Sequence, residues 1–385
     1  MPDRIEIIHV ESESDKNKFI EFPYSFYKDD KYWVEPLRFD VKNNLDEKKN
    51  PFYKHSKIKL WLAKKNGEIV GRIAGIINDN HNKFHNDKVG FFGFYECIND
   101  KNVSKMLFDK AAEFVKENGM DILRGPMNPS TNDECGLLVE GFNKSPVMLM
   151  TYNPEYYPRL LEEYGFVKAK DLLAFWITSD VVNDEAMMAK LKRVSDLILK
   201  KENITIRNVN MKDFKNEVQR IREVYNDAWE LNWGFVPMTE DEFNFIANNL
   251  KLVVDPDYIE FAEINGKPVG FSLALPDVNQ AIRGLNGKLF PFGFIKFLLN
   301  KKKIDQLRVM IMGVKKDYHR KGIDAIFYRN IVATATRKGL KGAEISWVLE
   351  DNYAMKQTTE KLGGKVYKTY RIYDKPLKVS LNKDI

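Results

Sequence analysis

Cysteine is nearly absent from this chain. The two present, Cys97 and Cys135, lie far apart with no CxxC and no neighbouring histidine pair, so neither a disulfide framework nor a zinc cluster can be assembled from them. No metal site is expected, and a reducing cytoplasm fits this usage. Long hydrophobic runs are missing too, since nothing approaches the roughly 18 uncharged apolar residues of a membrane span. The N-terminal stretch MPDRIEIIHVESESDKN is charged from its third residue and lacks the apolar core of a signal peptide. No sign of charge dominates. Lys and Arg number 61 against 55 Asp and Glu, a formal +6, and the two populations are interspersed. The field is mild, and no specific nucleic-acid partner is implied.

What is there suits a globular protein. A chain of 385 residues, 44% hydrophobic and 12% aromatic, is long enough for about two domains, each with its own core. The first half reads as a short strand at 5–10, a helix around 16–27 and a hairpin. In the hairpin KIKLWLAKK meets EIVGRIAGII across Asn66-Gly67, a dipeptide suited to a type I′ turn because both central residues need positive φ. A strand at 89–98 follows, then a helix with apolar residues at helical spacing from Val103 to Val115, closed by Gly119. DILRGP reads as a short strand and NPEYYPRLLEEYGF as a helix. The second half repeats that order, with its hairpin around Asn265-Gly266, LRVMIMGV as a strand, a helix closed by Gly339, then strand, helix and strand to the end. This pattern predicts an α/β (α+β) fold of two tandem domains, 1–180 and 181–385, with the boundary near 179–203. Each is expected to be a mixed twisted β-sheet with helices on both faces.

The most informative stretch is VMIMGVKKDYHRKGIDAIFYRNIVATATRKG, at 309–339, an apolar strand feeding a basic, glycine-containing loop that opens a long helix. Free N–H groups at a helix start, the helix dipole and nearby cations together hold a pyrophosphate. Gly322 lets the backbone approach the anion. Lys315, Lys316, His319, Arg320 and Lys321 supply positive charge.

On these residues the chain resembles the GNAT superfamily of acyl-CoA-dependent N-acyltransferases, whose pyrophosphate loop reads Q/R-x-x-G-x-G/A. The frame here is HRKGID, at 319–324: Gly322 and Ile323 match, while His319 and Asp324 depart from the pattern. In the following strand and helix, EISWVLEDNYAMKQTTEKLGG, Asn352, Ala354, Glu360, Lys361 and Gly363 resemble the family's next motif. Thr359 stands where the family often has a Tyr that protonates the leaving thiolate. The first half resembles the fold more distantly, through Asn153, Tyr156, Tyr157, Leu160 and Gly165-Phe166, and FYECINDKNVSKMLF carries no glycine loop. The resemblance implies one cofactor site, in the second domain, for acetyl-CoA or a longer acyl-CoA. It would be formed by the backbone of Met312 and Val314 with His319, Arg320, Lys321, Gly322, Ile323 and Asn352. The other domain would shape the acceptor site.

Amide formation from a thioester needs a neutral amine and a route for its proton. Glu350, ending the strand beside the loop, is the candidate base, or else a cap or salt-bridge partner; Asp351 is a candidate N-cap for the next helix. Tyr353 is the nearest alternative acid, or else a packing residue. In GPMNPSTNDECGLLVEGF, Asn132 and its polar neighbours suit acceptor recognition or a turn network. Finally, LFPFGFIKFLL at 289–299, flanked by Lys288 and by KKK at 301–303, suits peripheral membrane contact, a fatty chain or a packing insertion. The acceptor is therefore expected to be a small-molecule amine. A lipid-like one is the alternative, in which the chain resembles the GNAT-like bacterial sphingoid-base acyltransferases. A non-catalytic acyl-CoA-binding protein is the competing class.

Overall fold

Alternating apolar residues and positive-φ turns build both expected hairpins. Ser56–Lys65 pairs antiparallel with Glu68–Asn78 across Asn66 (φ 53°) and Gly67 (φ 92°). Ile259–Ile264 pairs with Lys267–Pro276 across Asn265 (φ 51°) and Gly266 (φ 73°). The computed structural model describes residues 4–180 and 184–377. Residues 181–183, within the expected boundary, lie outside the described residues. The chain divides into two units: one from the N-terminus to Leu172 with Arg283–Leu289 and the segment from Lys368 onward, the other Leu173–Ile282 with Phe290–Tyr367.

In the first unit the strands run, in spatial order, Ile5–His9, Ser56–Lys65, Glu68–Asn78, Val89–Cys97 and Ile122–Gly125. Neighbours are antiparallel except the last two, which are parallel. Helices cover both faces. Helix Lys101–Glu117 turns Leu107 and Phe114 onto the glycines of the central strand: a Cβ at Gly71 would meet Leu107 at 2.8 Å, and one at Gly75 would meet Phe114 at 2.8 Å. From the opposite face Arg72 reaches helix Glu13–Phe26, donating to the Phe19 carbonyl at 2.8 Å. Trp61, Ile73, Phe92, Leu107 and Phe108 form the core here, each worth about 1.5–3 kcal/mol when fully buried.

The second unit has the order Ile204–Asn208, Ile259–Ile264, Lys267–Pro276, Gln306–Val314 and Gly342–Leu349. Again all pairs are antiparallel except the last two strands. Gly270 faces helix Ile323–Arg337 through Phe327, and the next residue, Phe271, faces helix Phe214–Trp229 through Trp229. Helix Glu240–Leu250 has no counterpart in the sequence reading. Its start is fixed by a capping box in which Thr239 and Glu242 satisfy each other's backbone N–H.

The sequence reading gives each domain one continuous stretch, whereas the units interleave. Strand Val167–Thr178 leaves the first unit after Leu172, and strand Lys365–Pro376 enters it at Lys368. There Tyr373, Asp374, Lys375 and Pro376 pair with Gly125 back to Ile122. Arg124 holds Asp374 through two hydrogen bonds of 2.7 and 2.8 Å, and Tyr370, Ile372 and Tyr373 are buried. Among the described residues no helix is long and apolar enough to cross a membrane.

If the C-terminal strand completes the first unit's core, Tyr373→Ala removes a buried ring from it and lowers stability by about 3–5 kcal/mol. Limited proteolysis of this variant should open sites before Leu172 first; cleavage confined to 184–367 would contradict the assignment.

Candidate active site

The site begins where two parallel strands part. Gln306–Val314 pairs with Gly342–Leu349 only from Gln306↔Gly342 to Val309↔Ile345, yet both strands continue past that point. On its other side Gln306–Val314 stays paired with Lys267–Pro276 through Gly270↔Val314. A bulge leaves Met310 unmatched, between Val309↔Ala274 and Ile311↔Leu273. The edge from Met310 to Val314 therefore has no strand partner among the described residues. It leads into the loop at 315–322 and the helix Ile323–Arg337.

That helix opens on Gly322, whose left-handed conformation (φ 77°) suits glycine, and no side chain caps its first N–H groups. Ile323 is buried and anchors the helix in the core with Ile326 and Phe327, while Asp324 points out to solvent. The loop cations are mostly committed. Lys315 bonds Glu223, Lys316 bonds Glu230, and Lys321 meets Glu202 at 2.6 Å, which holds that carboxyl below its ordinary range. His319 donates from Nε2 to the Val314 carbonyl at 2.8 Å. Arg320 is exposed, with φ 63° and no ion-pair partner among the described residues.

The facing strand and its helix hold the remaining candidates. Asn352, not Asp351, is the N-cap of helix Tyr353–Lys361, its side-chain oxygen accepting from the Met355 N–H at 3.1 Å. The reason is register: the helix starts one residue later than an Asp351 cap requires. Glu350 lies in the turn, with Lys356 Nζ on its carbonyl at 3.0 Å, and Tyr353 is exposed beside the same lysine. Thr359 is fully buried beside Tyr328, a phenol that burial pushes up to about 12. Glu350, Tyr353 and the loop residues thus share one unit, at the C-terminal ends of its parallel strands, where ligand crevices form in such sheets. Asn132 belongs to the other unit. Its N–H donates to Ser130 Oγ at 3.1 Å, and Ser130 in turn bonds Asp133 at 2.6 Å.

In the first unit the equivalent opening is filled by the chain itself. Val89–Cys97 pairs with Ile122–Gly125 only as far as Phe91↔Arg124. Beyond that, the Phe94 N–H donates to Asn128 Oδ1 at 2.6 Å, and a Cβ at Gly93 would meet the Met127 carbonyl at 1.6 Å. At the far end Cys97 donates its N–H to the Tyr157 hydroxyl (2.8 Å) and accepts at its carbonyl from Tyr156 (2.7 Å). The Tyr157 hydroxyl donates onward to Glu96, whose carboxyl burial pushes up despite nearby Arg72. The next helix is already capped, since Asp100 accepts from the N–H groups of Asn102 and Val103.

One group of residues escaped the sequence reading. Arg308 and Glu344 sit side by side on the two parallel strands, and both are buried. Ser346, just past the last paired position, accepts from Arg308 Nε at 3.1 Å and donates to Glu344, which also accepts from Tyr367. A buried, hydrogen-bonded carboxylate therefore underlies the point where the strands part. A single charged residue inside each of two otherwise apolar strands, Arg308 and Glu344, was the available signal.

No protein-family model matches the chain. Among solved structures, a tandem GNAT protein from the clavulanic acid biosynthesis pathway superposes with a TM-score of 0.58 at 10% identity, covering 98% of this chain and all of that one. A probable N-acyltransferase from Enterococcus faecalis V583 gives 0.54 at 9% identity, over 98% and 73% of the two chains. Fold and paired openings define a tandem GNAT-fold protein. Two curated proteins align over nearly their whole length: Protein YghO of Escherichia coli K12 is 37% identical over 95% of this chain and 94% of its own. Bacterial ceramide synthase of Caulobacter vibrioides is 36% identical, over 97% and 98%. The chain belongs to the family of these two proteins.

Glu344→Gln preserves shape and one acceptor and should cost about 1–3 kcal/mol in urea unfolding. Glu344→Ala, which leaves the hydroxyls of Ser346 and Tyr367 without their acceptor inside the protein, should cost about 2–6 kcal/mol, at about 1–3 kcal/mol for each orphaned group. Equal, negligible losses would remove this network from the account.

Proposed function

We propose that the chain is an acyl-CoA-dependent acyltransferase that moves a long acyl group onto the amine of a lipid-like acceptor. The observation carrying this reading is the helix start at Gly322, uncapped by any side chain and lying at the end of an unpaired strand edge. That combination fits a ligand with a diphosphate at one end and a peptide-like arm at the other. The diphosphate would meet the N–H groups around Gly322 and Ile323 with Arg320 beside them; Lys321 would add charge on leaving Glu202, and His319 a ring N–H on leaving the Val314 carbonyl. Met312 and Val314 would offer backbone groups to the arm, and Asn352 its side-chain amide. Acyl-CoA supplies an activated thioester.

The chain's own residues then have two tasks. An N–H of the splayed strand must hold the thioester oxygen as charge develops on it, and a base must take the amine proton. We assign the base to Glu350 at the crevice mouth and give Tyr353 the role of acid, since Thr359 is buried and far less acidic than a phenol. The acceptor class rests on the relative named a ceramide synthase, because a ceramide is a fatty amide of a long-chain amino alcohol. Thr359 favours a second reading, an acyl-CoA-binding protein without turnover.

Incubation with a long-chain acyl-CoA and a long-chain amino alcohol should release thiol and form amide in equal amounts, followed by thiol titration and mass spectrometry. Binding without thiol release with any amine would establish the second reading. Arg320→Glu, at an exposed position, should raise the donor KM about tenfold with little change in kcat; an unchanged KM would remove Arg320 from the donor site.

A further inference from the structure

The segment at 290–299 presents its apolar side chains outward. Phe290 and Phe292 are 83% and 77% exposed, and they lead into helix Gly293–Lys301. At about 100° per residue, Phe294, Ile295, Leu298 and Leu299 fall on one face of that helix, and all four are exposed. Asn300, on the opposite face, bonds the Ala281 carbonyl at 3.4 Å. The helix is thus attached by its polar side and offers its greasy side to the surroundings. Lys301 extends the patch by bonding the carbonyl of Leu252, itself 81% exposed.

The charge along this segment has one sign. From 290 to 304 the sequence has no Asp or Glu, while Lys296, Lys301, Lys302 and Lys303 are all cationic. Lys296 and Lys301 border the apolar face on either side by the same helical geometry, and Lys302 and Lys303 are exposed just beyond it. A second copy of the chain docked by two-fold symmetry would set these cations against each other. A bilayer surface meets both requirements, an apolar layer a few ångströms deep beneath anionic headgroups. With nine residues the helix spans about 14 Å, enough to lie in the interface and too short to cross about 30 Å of hydrocarbon.

We propose that Phe290–Leu299 is a membrane-docking element that inserts Phe290, Phe292 and the outer face of the helix into an anionic lipid interface. Docking there would bring the protein to the phase in which a lipid-like amine resides, but the element itself requires no catalysis.

The test is flotation of the full-length chain with vesicles of phosphatidylcholine alone and of equal parts phosphatidylcholine and phosphatidylglycerol, with no acyl donor or acceptor present. The anionic vesicles should carry the protein upward, less so at high salt. Phe292→Ser and Ile295→Ser should each weaken partition about tenfold without lowering the melting temperature, and Lys302→Glu with Lys303→Glu should remove the salt-sensitive part. Absence of flotation, or equal flotation of the apolar variants, overturns the proposal. Lipid-free self-association abolished by those same variants overturns it in favour of a second copy. Because no substrate is present, failure here leaves the acyl-transfer reading standing, and failure of acyl transfer leaves this one.

Discussion

Two parallel strands that stop pairing part-way along leave a row of peptide groups that something else must satisfy. Each unit meets this constraint once, and the two answers differ. In the first unit Asn128, Tyr156 and Tyr157 take the exposed groups, and Asp100 takes the start of the next helix. In the second, among the described residues, the edge from Met310 to Val314 and the helix start at Gly322 receive no comparable set, though His319 takes the Val314 carbonyl and Asp227 the Lys316 N–H just beyond it. One unit has closed its opening with its own chain. The other has no such filling among the described residues.

Electrostatics follows the same division of labour. Lys315, Lys316 and Lys321 are tied to carboxylates that fix the loop's path, which leaves Arg320 as the loop cation without an ion-pair partner among the described residues. Beneath the parting strands, Arg308, Ser346, Glu344 and Tyr367 form a buried polar network whose cost is borne only because its members satisfy one another. Away from the site, lysines of the same segment border an exposed apolar helix face.

Much of this was legible in the sequence. The Asn-Gly turns announced both hairpins because few residues adopt positive φ, and Gly322 marked the helix start for the same reason. The lack of a glycine loop before Lys101 motivates the proposal of a single ligand site. The interleaving of the units was not legible, because Val167–Thr178 and Lys365–Pro376 have the same strand pattern whichever sheet receives them. Nor was the filling of the first opening: Asn128, Tyr156 and Tyr157 read as turn and helix residues until the fold sets their polar atoms on the strand edge. Arg308 and Glu344 hid in apolar strands 36 positions apart, and only the parallel register makes them neighbours.

The most direct test of this account is the number of ligand sites. Calorimetric titration of the chain with coenzyme A and with a long-chain acyl-CoA should give one site per chain, lost in Gly322→Glu and unchanged in Asn128→Ala. Two sites per chain, or one that survives Gly322→Glu in a folded protein and disappears in Asn128→Ala, would contradict the claim that the second unit alone keeps its opening for a ligand.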